Sequence, residues 1–120
     1  MAPSEERIGE IESLFRNVNE RIANAADHYE VENAEFFCEC YDPACGERVV
    51  VPLNEYERVR AESTRFVHAP GHVDPVYERV VARRSRYAVV EKFGRGLATI
   101  VRRLDPRRSR SGDVAEERAT

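Results

Sequence analysis

Apolar residues near the start of the chain recur at alternating spacings of three and four. The row consists of Ile8, Ile11, Phe15, Val18, Ile22, Ala25 and Tyr29. This spacing places them along one stripe of a helix over residues 4–28, with the seven-residue repeat of a coiled coil. Ser4 is a suitable N-cap for that helix. The row leaves two alternatives open, namely dimerisation through this helix and packing across the helix's own domain.

After a short polar linker, the pattern changes from helical spacing to short β-branched and aromatic runs. Residues 36–41 and 48–51 predict the two strands of a hairpin, with a turn at 42–46 between them. Helical spacing then returns over residues 53–60 and predicts a helix of about two turns. The asparagines of the first helix, Asn17, Asn19 and Asn24, are expected to face solvent.

The second half of the chain continues with short extended runs. They are residues 65–69, 77–84 and 86–91, although 76–84 also fits a helix. A short helix-like repeat follows over residues 97–104. The predicted fold class is therefore α+β, a long N-terminal helix followed by a small, mostly antiparallel sheet with one short helix.

These elements divide the chain into three parts. Residues 1–33 form the helix and linker, and residues 34–104 form the α+β domain. From position 105 the chain consists mainly of proline, arginine, serine, glycine and charged residues, with little to bury. Residues 105–120 are therefore predicted to be a disordered basic and polar tail.

Charge is distributed unevenly along the 120 residues. Residues 1–57 hold 14 acidic and 4 basic side chains, whereas residues 58–120 hold 8 acidic and 15 basic ones. The two halves could neutralise each other within the fold or a dimer, or the basic half could present a surface to an acidic partner.

The first residues are charged where a secretory signal would need an apolar run, and no stretch of 18 apolar residues occurs. These features predict a cytoplasmic protein with no membrane partner. The odd number of cysteines, three, fits reduced thiols or a metal better than a framework of disulfides.

All three cysteines lie within eight positions, at Cys38, Cys40 and Cys45. A turn at residues 42–43 can fold the third thiol back towards the first two. Three soft ligands around one point predict a zinc site, which would support a core as small as this one. Three free thiols without metal are the alternative.

A closed zinc site needs a fourth ligand, and His72, in a separate Pro-Gly-His turn, is the first candidate. His68 is the second, although it is expected to be a core or edge histidine bonded to backbone. Asp42 or a water molecule would serve if no histidine does. His28 lies at a helix end and needs no metal.

Signatures of known enzyme classes are missing from the sequence. Glu39, between two ligands, could act as a base in an open hydrolytic site, but it is expected to point to solvent. Pro43-Ala44-Cys45 lacks the second cysteine of zinc deaminases, and no His-Glu-x-x-His or glycine-rich phosphate loop occurs. The site is therefore predicted to be non-catalytic.

Several segments in combination resemble a family of small bacterial proteins without an established activity. They are residues 18–22, 37–40, 55–60, 65–67, 70–72, 87–92 and 105–107. Similar sequences are sometimes attached to signalling domains, so the resemblance implies a binding or regulatory role. The chain departs from the family pattern at Pro52, where a helix-capping threonine is usual, and at His68.

The expected function is that of a zinc-binding interaction or regulatory protein, with a protein partner or a second copy bound through residues 8–29. Nucleic-acid binding by the arginine-rich half is the alternative. Its contacts would be Arg83, Arg84, Arg86, Arg107 and Arg108. A zinc hydrolase or a thiol-redox enzyme is a further alternative.

Overall fold

The computed structural model describes residues 4–107. The helices are α1 (Glu5–His28), α2 (Leu53–Arg60) and α3 (Arg95–Arg103). The strands are β1 (Asn33–Phe37), β2 (Arg48–Pro52), β3 (Arg65–His68), β4 (Glu78–Arg83) and β5 (Ala88–Lys92). The predicted α+β class is confirmed, with a long first helix and short helices beside antiparallel strands. Residues 95–103, predicted only as a helix-like repeat, form a second short helix.

The strands form two separate sheets. β1 and β2 make an antiparallel hairpin in which Phe36 is opposite Val49. The second sheet has the order β3-β5-β4, also antiparallel, with an irregularity in β4 between Val80 and Ala82. The segment that also fitted a helix is therefore largely strand, because β5 provides it with a pairing edge.

α1 begins where the sequence predicted, with the Ser4 hydroxyl accepting a hydrogen bond of 3.1 Å from the Arg7 amide. Its buried side differs from the predicted row. Ile8 and Ile11 are buried, but Val18, Ala25 and Tyr29 are exposed. The buried positions are Ile8, Gly9, Ile11, Glu12, Ser13, Arg16, Asn19, Glu20, Ala23 and Ala26. Much of the side facing the domain is thus polar.

Two apolar clusters hold these layers together. The larger one contains Phe36 of β1 stacked on Tyr56 of α2, with ring centroids 4.1 Å apart. The smaller one joins Ile8 of α1 to Phe66 of β3 and Leu97 of α3. A metal site at the loop end of the hairpin would therefore adjoin the larger cluster, which also includes the cysteines.

The C-terminal boundary of the domain lies later than predicted. Asp105 is only 1% exposed, and its carboxylate accepts a hydrogen bond of 2.6 Å from the Arg60 guanidinium. Arg107 also donates to Glu20 and Glu57. The prediction of a disordered tail from position 105 is therefore wrong for residues 105–107, because buried charge rather than apolar surface holds them. Residues 108–120 of that predicted tail lie outside the described part of the chain.

Among residues 4–107, no helix combines the length and the apolar content that crossing a bilayer requires.

Candidate metal centre

The end of the β1–β2 hairpin positions the three cysteines. The Cys38 amide donates to the Glu47 carbonyl at 2.8 Å, which extends the hairpin pairing beyond β1. The chain then turns, with the Cys45 amide donating to the Asp42 carbonyl at 3.1 Å. The Asp42 carboxylate accepts from the Ala44 amide at 2.9 Å, a local bond typical of aspartate in turns. This turn brings Cys45 back beside Cys38 and Cys40.

Glu39 points into the core and is completely buried, so the expectation that it faces solvent is wrong. Its carboxylate accepts hydrogen bonds from the Val67 amide at 2.9 Å, the Asn19 amide group at 2.8 Å and the Tyr56 hydroxyl at 3.2 Å. Burial raises the pKa of Glu39, while the bonds from Asn19 and Val67 lower it. Successive side chains of an extended segment alternate in direction. Cys38 and Cys40 are therefore expected to share the side of the segment opposite to Glu39.

Asn19, expected to face solvent, is also completely buried. Its side chain donates to the Phe37 carbonyl at 2.9 Å and accepts from the Phe37 amide at 2.9 Å. Asn19 therefore pairs with the end of β1 as a neighbouring strand would, and it attaches the cysteine segment to α1.

The fourth residue of the site is on a separate turn. The His72 amide donates to the Ala69 carbonyl at 3.1 Å, and Gly71 has a φ of 84°, a conformation that glycine adopts at little cost. The Ala69 amide in turn donates to the Cys38 sulfur at 3.1 Å. A direct bond thus joins the two turns before any metal is considered.

The four side chains converge on one point. His72 Nδ1 lies 3.7 Å from Cys38 Sγ, 3.9 Å from Cys40 Sγ and 3.4 Å from Cys45 Sγ. All four potential ligand atoms lie within 4.8 Å of one another, so the group could hold a metal ion. His72 Nε2, on the outer side of the ring, is 3.9 Å from Glu47 Oε1.

Thiols packed this closely divide their protons unequally. The hydrogen bond between Cys38 and Cys40 raises the pKa of Cys38 and lowers the pKa of Cys40. A second hydrogen bond, with His72, also lowers the pKa of Cys40, which is about 4. Burial raises the pKa of Cys45. One thiolate is therefore favoured, and a bound cation would be needed to favour three.

His68, the second candidate for the fourth ligand, belongs to a different group. It is completely buried, with Nδ1 3.2 Å from both the His72 carbonyl and a Glu78 carboxylate oxygen. Glu12 is also within reach of this group. Lys92 donates to both carboxylates, so its ammonium group already provides the positive charge that a metal ion would bring to this group. His28 is exposed at the end of α1, with its ring against that of Tyr29.

Within residues 4–107, the arginines considered for nucleic-acid contact do not form one cluster of free cations. Arg84 donates to Glu55 at 3.3 Å, and Arg107 donates to Glu57 at 2.7 Å and to Glu20 at 2.9 Å. Arg83 and Arg86 are exposed near the β4–β5 turn. Arg108 lies outside the described residues.

A cleft of 710 Å³ borders the metal centre. Cys40 and His72 form part of its wall, together with residues of the 41–43 and 73–75 segments. The first turns of α1 close the other side with Arg7 and Ile11. One edge of the ligand set therefore faces a space large enough for a small molecule or a peptide side chain.

Comparisons with protein-family models, with curated proteins and with solved structures found no match to this chain.

Proposed function

We propose that the protein is a zinc-stabilised interaction domain, in which Cys38, Cys40, Cys45 and His72 hold a structural zinc ion. The observation that carries this proposal is the set of three sulfur-to-nitrogen distances, 3.4, 3.7 and 3.9 Å. A tetrahedral zinc ion about 2.3 Å from each sulfur and about 2.0–2.1 Å from nitrogen would separate sulfur and nitrogen by roughly 3.6 Å. The ligand atoms therefore fit this ion with little rearrangement.

The kind of ligand supports zinc over other common metals. Thiolates and imidazole are soft or borderline donors, which suit zinc, whereas calcium and magnesium favour oxygen. Three cysteines and one histidine supply a complete tetrahedral shell from the chain itself. Catalytic zinc sites instead keep one position for water or substrate, so a structural role is the better fit.

The surroundings also favour binding over catalysis. Glu39, the candidate for a general base that the sequence suggested, is turned into the core and accepts three hydrogen bonds. A general base must reach the proton that it removes, and this carboxylate faces away from the cleft side of the cysteines.

We infer that the cleft beside the metal receives a segment of a partner protein. Its wall includes apolar side chains from three segments, Ile11, Tyr41, Pro43, Val73 and Pro75. Arg7 adds a positive charge, and Asp42 and Asp74 add negative ones. Apolar walls with a few polar groups are typical of binding sites, and reduced thiols are consistent with a cytoplasmic setting.

Nucleic-acid binding has less support. Arg84 and Arg107, two of the proposed contacts, are paired with acidic side chains of the same chain. Pairing of this kind favours mutual neutralisation of the acidic and basic halves, the first of the two interpretations of the charge distribution.

Native mass spectrometry of the full chain tests the proposal. We expect one zinc ion per chain in the wild type and none in Cys40→Ala. A chelator should lower the melting temperature of the wild type sharply, because zinc binding is coupled to folding. His28→Ala, which removes an exposed histidine away from the site, is the matched control and should keep the bound zinc.

The Cys40→Ala variant also controls for non-specific effects of the chelator, since it should show no further fall in melting temperature. Wild-type protein purified without chelators that carries no zinc, and that gains no stability when zinc is added, would exclude the proposed site.

A further inference from the structure

α1 carries an apolar row that its own domain leaves uncovered. The side chains of Leu14, Val18 and Tyr29 are 61%, 37% and 75% exposed. Ala25 is exposed as well, and Phe15 and Ile22 are only partly buried. All of these residues except Leu14, which lies beside Phe15, belong to the row whose spacing of three and four predicted a coiled-coil seam.

The row and the buried side of α1 point in different directions. At 3.6 residues per turn, the centre of the exposed row lies roughly 120° around the helix from the centre of the buried positions. Glu12, Arg16 and Asn19 make their contacts on the buried side, with β5, α3 and β1 or the loops beside them. Most of the exposed row therefore lies beside the surface of the helix that the domain covers, although Ile22 also packs against the larger apolar cluster.

We propose that this row is covered by the same row of a second copy of the chain, with the two α1 helices antiparallel. A seven-residue apolar repeat is the pattern by which helices pack side by side over their length. At 1.5 Å per residue, the 24 residues of α1 give a rod of about 36 Å. Around a two-fold axis at Val18, Leu14 of each copy would face Ile22 of the other, so large and smaller side chains alternate along the seam.

Charges beside the seam favour the antiparallel arrangement. Near the same register, Glu10 of one copy would lie close to His28 of the second copy, at opposite ends of α1. The first turn of α1 is acidic, with Glu5 and Glu6, whereas the last turn contains Asp27 and His28. An antiparallel pair separates the two acidic ends, whereas a parallel pair would bring them together.

Sedimentation equilibrium of the full chain over a concentration series tests this proposal. We expect a dimer in the wild type, and Val18→Glu should weaken the dimer by at least about 100-fold, because it buries two unpaired carboxylates at the two-fold axis. Asn24→Glu adds the same charge to an exposed polar position of the same helix. This control should change the dissociation constant by less than about 5-fold.

A charge exchange tests the orientation. Glu10→Lys should weaken the antiparallel dimer, and the double variant Glu10→Lys, His28→Glu should restore it. Unchanged circular dichroism and zinc content in every variant would show that the domain remains folded. This readout separates failure of the dimer from failure of the metal site, on which the proposal does not depend.

Two results would overturn the proposal. One is a wild type that stays monomeric up to about 1 mM, which would leave a different partner to cover the row. The other is a dimer that Val18→Glu leaves intact, which would place the interface elsewhere.

Discussion

Glu39 shows how one buried side chain can orient two metal ligands. Its carboxylate joins α1, α2 and β3 through Asn19, Tyr56 and Val67. The backbone amide of Glu39 also donates to the Val67 carbonyl at 2.8 Å. Both the side chain and the backbone of the residue between the two cysteines are thus held in place, and this fixes the positions of Cys38 and Cys40.

We expect Glu39→Ala to lower the free energy of unfolding by about 3 kcal/mol and to weaken zinc binding, because it leaves three buried donors without an acceptor. Urea unfolding with and without a chelator measures both effects. Glu47→Ala, which removes an exposed carboxylate near His72, is the matched control and should cost less than about 1 kcal/mol. Equal losses in the two variants would contradict the positioning role of Glu39.

The sequence could identify the candidate ligands but not the role of Glu39. Cysteines clustered beside one turn, with a histidine on a second turn, are typical of closed zinc sites, so Cys38, Cys40, Cys45 and His72 could all be predicted. Alternation along an extended segment also places Glu39 opposite the cysteines. Whether that opposite side faces water or core depends on where α1 crosses the hairpin, and local sequence carries no signal for that crossing.

At the scale of elements, the crossing of α1 and α3 depends on a glycine. A Cβ atom added to Gly9 would lie 2.5 Å from Cγ2 of Ile100, a branched side chain that cannot easily move away. A Cβ atom added to Gly96, on the other helix, would meet only the end of the flexible Glu5 side chain at 2.9 Å. Gly9 is therefore required for close packing, whereas Gly96 is not.

We expect Gly9→Ala to destabilise the protein by about 1–2 kcal/mol. Overpacking should destabilise the fold by more than the higher helix propensity of alanine stabilises it. Gly96→Ala should be neutral or stabilise by no more than about 1 kcal/mol. Thermal unfolding of the two variants measures the difference. A Gly9→Ala variant as stable as Gly96→Ala would show that α3 can shift on α1.

The presence of each element was easier to predict than its buried face. The helix at 53–60 and the second hairpin strand were found from spacing and β-propensity, but the first strand, predicted over residues 36–41, lies at Asn33–Phe37. The buried side of α1 was not, because the pattern counts apolar residues, and here Glu12, Arg16 and Glu20 are buried together with their partners. Charged residues that are distant in sequence can pair in the core, so polar residues can occupy buried positions. Hydrophobic periodicity does not predict such pairs.

On the scale of the whole molecule, the acidic first half and the basic second half meet in one buried network. Arg60 of α2 donates to Glu20 of α1 at 2.5 Å and to Asp105 at 2.6 Å. Burial raises the pKa of Asp105, but the hydrogen bond and charge of Arg60 outweigh it, and the pKa falls to about 2. Glu12 has the opposite shift, because burial outweighs Lys92 and raises its pKa to about 7.

These shifts make stability depend on pH in both directions. A carboxyl with a lowered pKa stabilises the fold above its ordinary value of 3.8, and this contribution is lost as the pH falls towards 2. A carboxyl with a raised pKa stabilises the fold below its ordinary value of 4.5, and that contribution is lost as the pH rises through about 7. The two carboxyls together favour a stability maximum in the mildly acidic range.

We expect Asp105→Asn to be less stable than the wild type by about 2 kcal/mol at pH 5–7, with a difference that shrinks towards pH 2. Urea unfolding at several pH values measures this difference. Loss of a bound metal in acid would affect both proteins, so the comparison is made between them at each pH value. A gap of constant size across the range would contradict the assigned ion pair.

The polar side of α1 also determines when the protein can fold. Glu12 pairs with Lys92, Arg16 with the Val101 carbonyl and Glu20 with Arg107. The sequence separations are 80, 85 and 87 residues. The polar side of α1 is thus fully paired only when nearly all of the described chain has been made, although Asn19 and Glu20 also have the nearer partners Phe37 and Arg60. Contacts so distant in sequence close large loops and slow folding. The helix and the domain should therefore become protected together, in one late step, and not in the order in which they are synthesised.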